Sequence, residues 1–170
     1  MDIILVPGFW LDASSWKDVT PPLVAAGHRV HPLTLPGLES ADAPRAGIGL
    51  RTHIDAVVAK IDTFDAPVVL VGHSGGGAII HGAVDARPGR VVRAIYVDSG
   101  PLGDGGVIND ELPDDGDEVP LPPWELFDDE DLTDLDDELR AVFRARAIPQ
   151  PKGVAQDQQR LHDERRYDVP

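Results

Sequence analysis

Short, continuously apolar runs alternate along the chain with longer segments whose apolar residues recur every three or four positions. The runs predict buried β-strands at residues 3–6, 29–33, 68–71 and 91–97. The longer segments predict helices at about residues 14–26, 50–64 and 75–87. Strands that alternate with helices indicate an α/β fold with a doubly wound, mostly parallel sheet. Such strands are covered on both faces, which explains why they are apolar throughout.

The pattern changes after Asp98. Residues 99–123 are rich in Gly, Pro and acids, and a helix is predicted at about residues 129–146. Its apolar residues are spaced to form one buried stripe; they are Leu132, Leu135, Leu139, Val142 and Phe143. We therefore interpret residues 1–100 as the core of a single domain and residues 101–160 as an acidic cap or lid. Residues 161–170 are interpreted as the return to the core and the start of a further strand.

Charge is concentrated in one part of this 170-residue chain. The formal net charge is −15, and the stretch from Asp110 to Glu138 holds fifteen acids without a Lys or Arg, so the remainder is neutral. A negative field of this kind makes nucleic acid and anionic membranes improbable partners. No 12-residue window has the alternating acids and central glycine of a calcium loop. The stretch is better interpreted as a solvated acidic face, although a metal site stays an alternative.

The composition bears on where in the cell the protein is located. The chain has no cysteine, which excludes disulfides and thiol catalysis and favours a reducing, cytoplasmic location. Its first residues lack a basic segment and are typical of a strand, not of a signal peptide. No apolar stretch approaches the length of a membrane span.

The most informative motif is G-x-S-x-G at residues 72–76, which lies between an apolar strand and a predicted helix. This arrangement is typical of a nucleophile elbow and makes Ser74 the predicted catalytic nucleophile. Gly72 and Gly76 allow the strand and the helix to approach closely. The Gly75 N–H at the helix start can stabilise an oxyanion, and we expect the Phe9 N–H, in the loop after the first strand, to be the second donor.

Together the strand, the G-H-S-G-G elbow, the Pro-Gly-Phe-Trp loop and the strand Ala94 to Asp98 resemble the α/β-hydrolase family. The resemblance is closest to its small esterase-like and hydroxynitrile-lyase-like members, and covers about residues 2–101. It implies a serine hydrolase that acts without a cofactor on a small uncharged ester or related acyl substrate. Pro7 stands where relatives often have the histidine of a His-Gly pair. The resemblance does not separate esterase from thioesterase, lactonase, perhydrolase or cyanohydrin lyase activity.

The same resemblance implies a triad in the order Ser, acid, His. Asp98 follows the strand after the elbow and is the candidate acid. Among the six histidines, His162 alone follows both Ser74 and Asp98, so it is the candidate base. However, it lies in a charged, helix-like run, whereas the family's base follows the last strand. By this analogy the fold is cut short after the strand that follows the elbow helix, and we expect further chain beyond Pro170 to carry the missing strands and histidine.

The remaining predictions concern the pocket and the partners. His73 and Trp10, with Trp124 and Phe127 from the cap, are predicted to line the substrate pocket, although plain core packing explains the aromatic residues equally well. If no base is present, the alternative is an inactive relative that binds a small molecule. Strand 91–97 is expected to be an apolar sheet edge, covered by further chain, by the cap or by a second subunit of a homo-oligomer.

Overall fold

The computed structural model describes all 170 residues and contains a four-stranded parallel sheet. Its strands are β1 (Asp2–Val6), β2 (Arg29–Pro32), β3 (Val68–His73) and β4 (Val91–Val97), in the order β2-β1-β3-β4. The predicted doubly wound α/β fold is confirmed. A separate antiparallel ribbon pairs β5 (Glu118–Val119) with β6 (Gln150–Pro151).

Five α-helices accompany the strands: α1 (Thr20–Ala25), α2 (Leu50–Ile61), α3 (Gly75–Ala86), α4 (Asp137–Arg146) and α5 (Lys152–Gln156). Short 3-10 helices occur at Ala13–Trp16, Pro88–Arg90, Trp124–Leu126 and Glu164–Asp168. None of the helices combines the length and the apolar composition needed to cross a membrane.

The central strands are buried on both faces because successive side chains point to opposite sides of the sheet. On one side, Ile3 and Leu5 of β1 pack with Trp16 and Val69. On the other side, Ile4 and Val6 belong to a core of 21 buried residues that also includes the apolar faces of α2 and α3. The continuous apolar runs of the sequence therefore follow from two-sided burial.

Two predicted helices are shorter in the structure. The segment predicted as one helix over residues 14–26 divides into the 3-10 turn Ala13–Trp16 and the helix α1, with proline in the first turn of α1. Pro21 and Pro22 lack the N–H that an interior position must donate, so they lie in the first turn of the helix. In the cap, Asp136 accepts a hydrogen bond from the Leu139 N–H and starts α4 there, so residues 129–136 form turns and not a helix.

The apolar stripe predicted for the cap helix is only partly buried. No residue of α4 is buried, and Leu139, Val142 and Phe143 are each more than 40% exposed. The cap helix α4 thus buries much less apolar surface against the core than α2 and α3 do.

The last residues do not begin a strand, in contrast to the prediction. Residues Glu164–Asp168 form a 3-10 helix, and the following Pro170 carbonyl accepts one hydrogen bond, 2.9 Å long, from the Ala94 N–H of β4. An ion pair between Arg166 and the buried Asp85 of α3, at 3.1 Å, attaches this segment to the core. Along β4, Val92, Ile95 and Val97 are about two-fifths exposed.

Candidate active site

Three loops meet at the carboxyl edge of the sheet because their strands are parallel. The loop Pro7–Trp10 follows β1, Ser74 follows β3, and Asp98 follows β4. Polar groups that are distant in sequence are thereby placed around one cleft.

Ser74 occupies a sharp turn between β3 and α3. Its backbone has φ 49° and ψ −125°, a conformation that is rare for a residue with a side chain. The turn is possible because Gly72 and Gly76 have no side chains, so the backbone segments around them can approach closely. A Cβ on Gly72 would lie 2.6 Å from the Gly76 carbonyl oxygen, and one on Gly76 would lie 2.6 Å from the Pro7 carbonyl oxygen. The strained turn lifts the Ser74 side chain to an exposed position at the end of β3.

Two backbone amides near Ser74 are available to stabilise negative charge. The Phe9 N–H donates to no acceptor in the protein, and Gly75 is the first residue of α3, where the helix offers no carbonyl to its N–H. The Phe9 ring packs directly on Gly75, since a Cβ there would lie 2.6 Å from a ring carbon. Phe9 and Gly75 are thus in direct contact beside the serine, and each carries a backbone N–H that is free to donate to a ligand.

Two cavities join at Ser74. The larger, about 540 Å³, is lined by Phe9 and Gly75 and by residues after β4 that include Ile108, Asn109 and Leu112. The smaller, about 320 Å³, is mostly apolar and includes His73, Trp124, Leu132 and Phe143. The residues that border both cavities are Phe9, Trp10, Ser74, Asp98, Phe127 and Asp131. The serine hydroxyl can therefore reach a bond whose two substituents extend in different directions.

Aromatic side chains form the shared wall. The ring of Trp10 meets the ring of Phe127 edge to face at 6.3 Å between centroids, and Phe127 lies 5.5 Å from Trp124. Phe9 meets Trp10 in the same way at 5.8 Å. The cap residues Trp124 and Phe127 therefore lie against the loop that follows β1.

His73 lines the smaller cavity next to the serine. Burial lowers the pKa of its imidazole, while the nearby Asp98 carboxylate opposes the shift. Its ring meets that of the buried Trp16 edge to face at 6.4 Å. The Ser74 hydroxyl makes no hydrogen bond within the chain, so neither His73 nor Asp98 is hydrogen-bonded to it in this structure.

The structure does not bring His162 to the cleft. The His162 N–H donates to the carboxylate of Asp85, near the carboxyl end of α3, at 2.9 Å. Ser74 caps the amino end of the same helix, and eleven helical steps of 1.5 Å separate the two ends by about 16 Å. The His162 side chain is exposed there, so it is not positioned to act as the base in this conformation.

The site also contains residues that the sequence did not indicate. The Ser99 hydroxyl donates a 2.6 Å hydrogen bond to the Ser74 carbonyl, which also accepts from the Gly77 N–H at 2.9 Å. The side chain of Gln150 is 1% exposed and accepts a hydrogen bond from the Trp10 N–H. Neither residue belongs to a motif, and Gln150 is 140 positions from its partner. No group of three or more His, Asp or Glu side chains lies close enough together to hold a metal ion.

Comparison with known proteins agrees with this geometry. The sequence profile of the Alpha/beta hydrolase family matches residues 3–169, nearly the whole chain. The chain belongs to the alpha/beta hydrolase family. This alpha/beta hydrolase is also 33% identical over 100 residues to the carbendazim hydrolyzing esterase of Nocardioides sp. (strain SG-4G). The match covers 58% of this chain and 41% of that esterase, so the chain spans less than half of the relative's length.

Solved structures show the same fold. An extracellular alpha/beta-hydrolase from a Paenibacillus species superposes with a TM-score of 0.84 at 23% identity, covering all of this chain and 75% of that one. A pyrethroid hydrolase from Sphingobium faniae JZ-2 gives 0.73 at 22% identity, with the same coverage of both chains. A methylesterase from Arabidopsis gives 0.75 at 19% identity, again over all of this chain and 75% of that one. The predicted hydrolase fold is therefore confirmed.

Proposed function

We propose that this alpha/beta hydrolase is a serine esterase for small uncharged esters, with Ser74 as the nucleophile. The observation that carries the proposal is the position of Ser74: a strained turn holds it beside the Phe9 and Gly75 amides where two cavities join. A nucleophile, two fixed N–H donors and space on both sides of the scissile bond are the requirements of acyl transfer.

In the proposed reaction the Ser74 oxygen attacks the ester carbonyl carbon and its proton passes to a general base. The carbonyl oxygen becomes negatively charged and accepts hydrogen bonds from the Phe9 and Gly75 amides. The carbon–oxygen bond to the alcohol then breaks, and the alcohol leaves with the proton from the base. Water attacks the acyl-serine in the same manner, which releases the acid and restores the Ser74 hydroxyl.

The two cavities suggest the shape of the substrate. The smaller cavity, with its aromatic and leucine side chains, suits a compact apolar or aromatic group, and the larger one accepts a bulkier group with some polar character. The relatives include esterases or hydrolases of carbendazim and of pyrethroids and a methylesterase. We infer that this chain acts on esters of similar character, with Asp98 as the candidate acid and His73 as a pocket residue.

A second candidate function is small-molecule binding without turnover. It is favoured by one observation, that no histidine of these 170 residues forms a hydrogen bond with the Ser74 hydroxyl. Without a base the serine loses several powers of ten in rate, while the cavities still accept a ligand.

Labelling with a fluorophosphonate probe tests the proposal. We expect the wild-type chain to be labelled at Ser74, detected by mass spectrometry of the modified peptide, and to hydrolyse p-nitrophenyl butyrate. Ser74→Ala should abolish both signals, and Ser40→Ala, which removes an exposed hydroxyl outside both cavities, should retain labelling. A folded wild-type sample that is not labelled would overturn the esterase proposal. Saturable binding of the ester in that sample would then support the second candidate.

We also propose a cytoplasmic location, which the absence of cysteine supports. Cell fractionation with antibody detection tests it, and recovery of the protein from the medium would contradict it. One structural neighbour is an extracellular enzyme.

A further inference from the structure

Trp10 is tied to the base of the cap by three hydrogen bonds. Its indole N–H donates to the Val119 carbonyl at 2.9 Å, and its backbone carbonyl accepts from the Ile148 N–H at 3.0 Å. Its backbone N–H donates to the Gln150 side chain at 3.4 Å. All three partners are buried and lie in, or next to, the ribbon formed by β5 and β6. One residue of the loop after β1 therefore binds both strands of this ribbon.

The ribbon is a fixed support. It brackets residues 120–149, the part of the cap that contains α4, and it is attached to the core a second time by the buried Arg45. The Arg45 guanidinium donates to the Pro149 carbonyl and to the Glu118 carboxylate, each at 2.7 Å. Because α4 itself has no buried residue, the cap is held mainly at this base.

The backbone of Trp10 is strained. Its φ of 63° is in the left-handed region, which a bulky side chain disfavours by about 1–3 kcal/mol, and such a conformation persists only where surrounding contacts enforce it. The three hydrogen bonds to the cap supply that enforcement. Trp10 directly follows Phe9, whose N–H is the unpaired amide beside Ser74. The direction of the Phe9 N–H thus depends on contacts made by the next residue.

We propose that Trp10 is a positioning residue that uses the ribbon of the cap to aim the Phe9 N–H at the oxyanion. This inference rests on the proposed function of Ser74. It explains why an indole is suited to this position: the ring lines both cavities while its N–H holds the cap. The cap thereby contributes to the oxyanion hole as well as to the pocket wall.

The variants Trp10→Phe and Gln150→Leu test the inference. The first keeps an aromatic wall but removes the bond to Val119, and the second removes the acceptor of the Trp10 N–H without changing a cavity-lining residue. The rate of Ser74 labelling is measured as a function of the fluorophosphonate concentration. This dependence gives the maximal labelling rate and the probe concentration at half-saturation. We expect a fall of about tenfold in the maximal rate for both variants, less than the 10²- to 10³-fold cost of losing a donor outright. The half-saturating concentration should change less than twofold.

Trp16→Phe is the matched control. Trp16 lines neither cavity, and its buried indole N–H donates no hydrogen bond within the chain. This variant should leave both the maximal rate and the half-saturating concentration unchanged. Each labelling rate is divided by the fraction of protein that is folded, which is determined from the denaturation curve of that variant. Unchanged maximal rates in Trp10→Phe and Gln150→Leu would overturn the inference, whereas absence of labelling in the wild type would overturn the proposed function instead.

Hydrogen exchange tests the positioning role without relying on the reactivity of Ser74. In both variants we expect the Ile148 amide, which donates to the carbonyl of residue 10, to exchange faster than in the wild type, while the amides of α3 keep their protection. Unchanged exchange at Ile148 would show that the ribbon does not hold this loop and would overturn the inference.

Discussion

At the turn that carries Ser74, single residues decide how closely backbone segments can approach. A Cβ on Gly76 would lie 2.6 Å from the Pro7 carbonyl oxygen and 2.8 Å from that of Val6. Both neighbours are backbone atoms of the central strand β1 or its exit, so they cannot rotate away. This contact leaves the amino end of α3 directly against the loop that bears Phe9.

We therefore expect Gly76→Ala to destabilise the fold by about 1–3 kcal/mol, the usual cost of overpacking, despite the better helix propensity of alanine. Urea denaturation measures the change. Gly89→Ala is the control, because no atom lies within 4 Å of a Cβ built there. Equal stability of the two variants would contradict the close approach of α3 and β1.

His53 shows how burial sets protonation. It lies fully buried on α2, where its Nε2 donates to the Pro36 carbonyl at 2.8 Å and its Nδ1 has no partner. Burial lowers the pKa of the imidazole to about 4, although the bond to Pro36 and the Glu39 charge oppose the shift. The folded protein therefore contains the neutral form down to a pH well below that of an exposed histidine.

The consequence is a loss of stability on acidification. Between the unfolded pKa of about 6.5 and the folded value, the unfolded chain binds one more proton, so the free energy of unfolding falls as the pH falls. From pH 7 to pH 5 we expect His53 to contribute a loss of about 2 kcal/mol, at 1.36 kcal/mol per pKa unit. Urea denaturation at the two pH values should show that His53→Gln loses less stability than the wild type. If the free energies of unfolding of the two proteins fall in parallel with pH, His53 is not the origin of the loss of stability.

At the scale of the elements, α2 receives its amino-terminal cap from another helix. Its N-cap is Gly49, which has no side chain, and the Leu50 N–H instead donates to the Asp157 carboxylate at 3.1 Å. A Cβ on Gly49 would lie 2.1 Å from that carboxylate oxygen. Glycine thus makes room for a carboxylate contributed by the residue that ends α5.

Asp157→Ala should cost about 1 kcal/mol, the typical value for loss of an N-cap. Asp157→Asn should cost less, because it keeps an acceptor and loses only the favourable interaction of the charge with the helix dipole. Asp18→Ala, at an exposed acid that makes no ion pair, is the control for removal of one negative charge. Thermal or urea denaturation ranks the three variants. If Asp157→Ala is as stable as the control, the cap makes no contribution.

For the whole molecule, the negative charge of the cap influences which ligands can enter the cavities at Ser74. Fifteen acids lie between Asp110 and Glu138, and Asp131 of this stretch borders both cavities together with Asp98. An anionic ligand therefore approaches Ser74 against a negative potential, whereas the carboxylate product of ester hydrolysis is driven out by it.

We expect 4-carboxyphenylboronic acid to compete with labelling of Ser74 about tenfold more weakly than phenylboronic acid at low ionic strength. The difference should shrink in 0.5 M salt, where charges are screened over a few ångströms. Asp131→Asn should also reduce it, and Asp110→Asn, which removes the same charge outside the cavities, should have less effect. Equal competition by the two compounds in the wild type would show that the acidic cap does not select against anions.

The predictable part of the site is the part that is local in sequence. Ser74 and Gly75 belong to one turn, and the glycine requirement of that turn follows from backbone sterics. Phe9 follows the first strand, so the parallel sheet is sufficient to place its loop beside the elbow. His162 shows the limit of this reasoning: its order in the chain fits a base, but packing places it at the far end of α3.

The sequence alone determined the strands, their parallel arrangement and the elbow, because these depend on two-sided burial and on steric limits over a few residues. Only the tertiary structure decided how the two cavities divide and which cap groups bind Trp10. Those features depend on contacts between residues as far apart as Trp10 and Gln150. No periodicity or motif encodes such pairs, because each is selected by the packing of the whole chain.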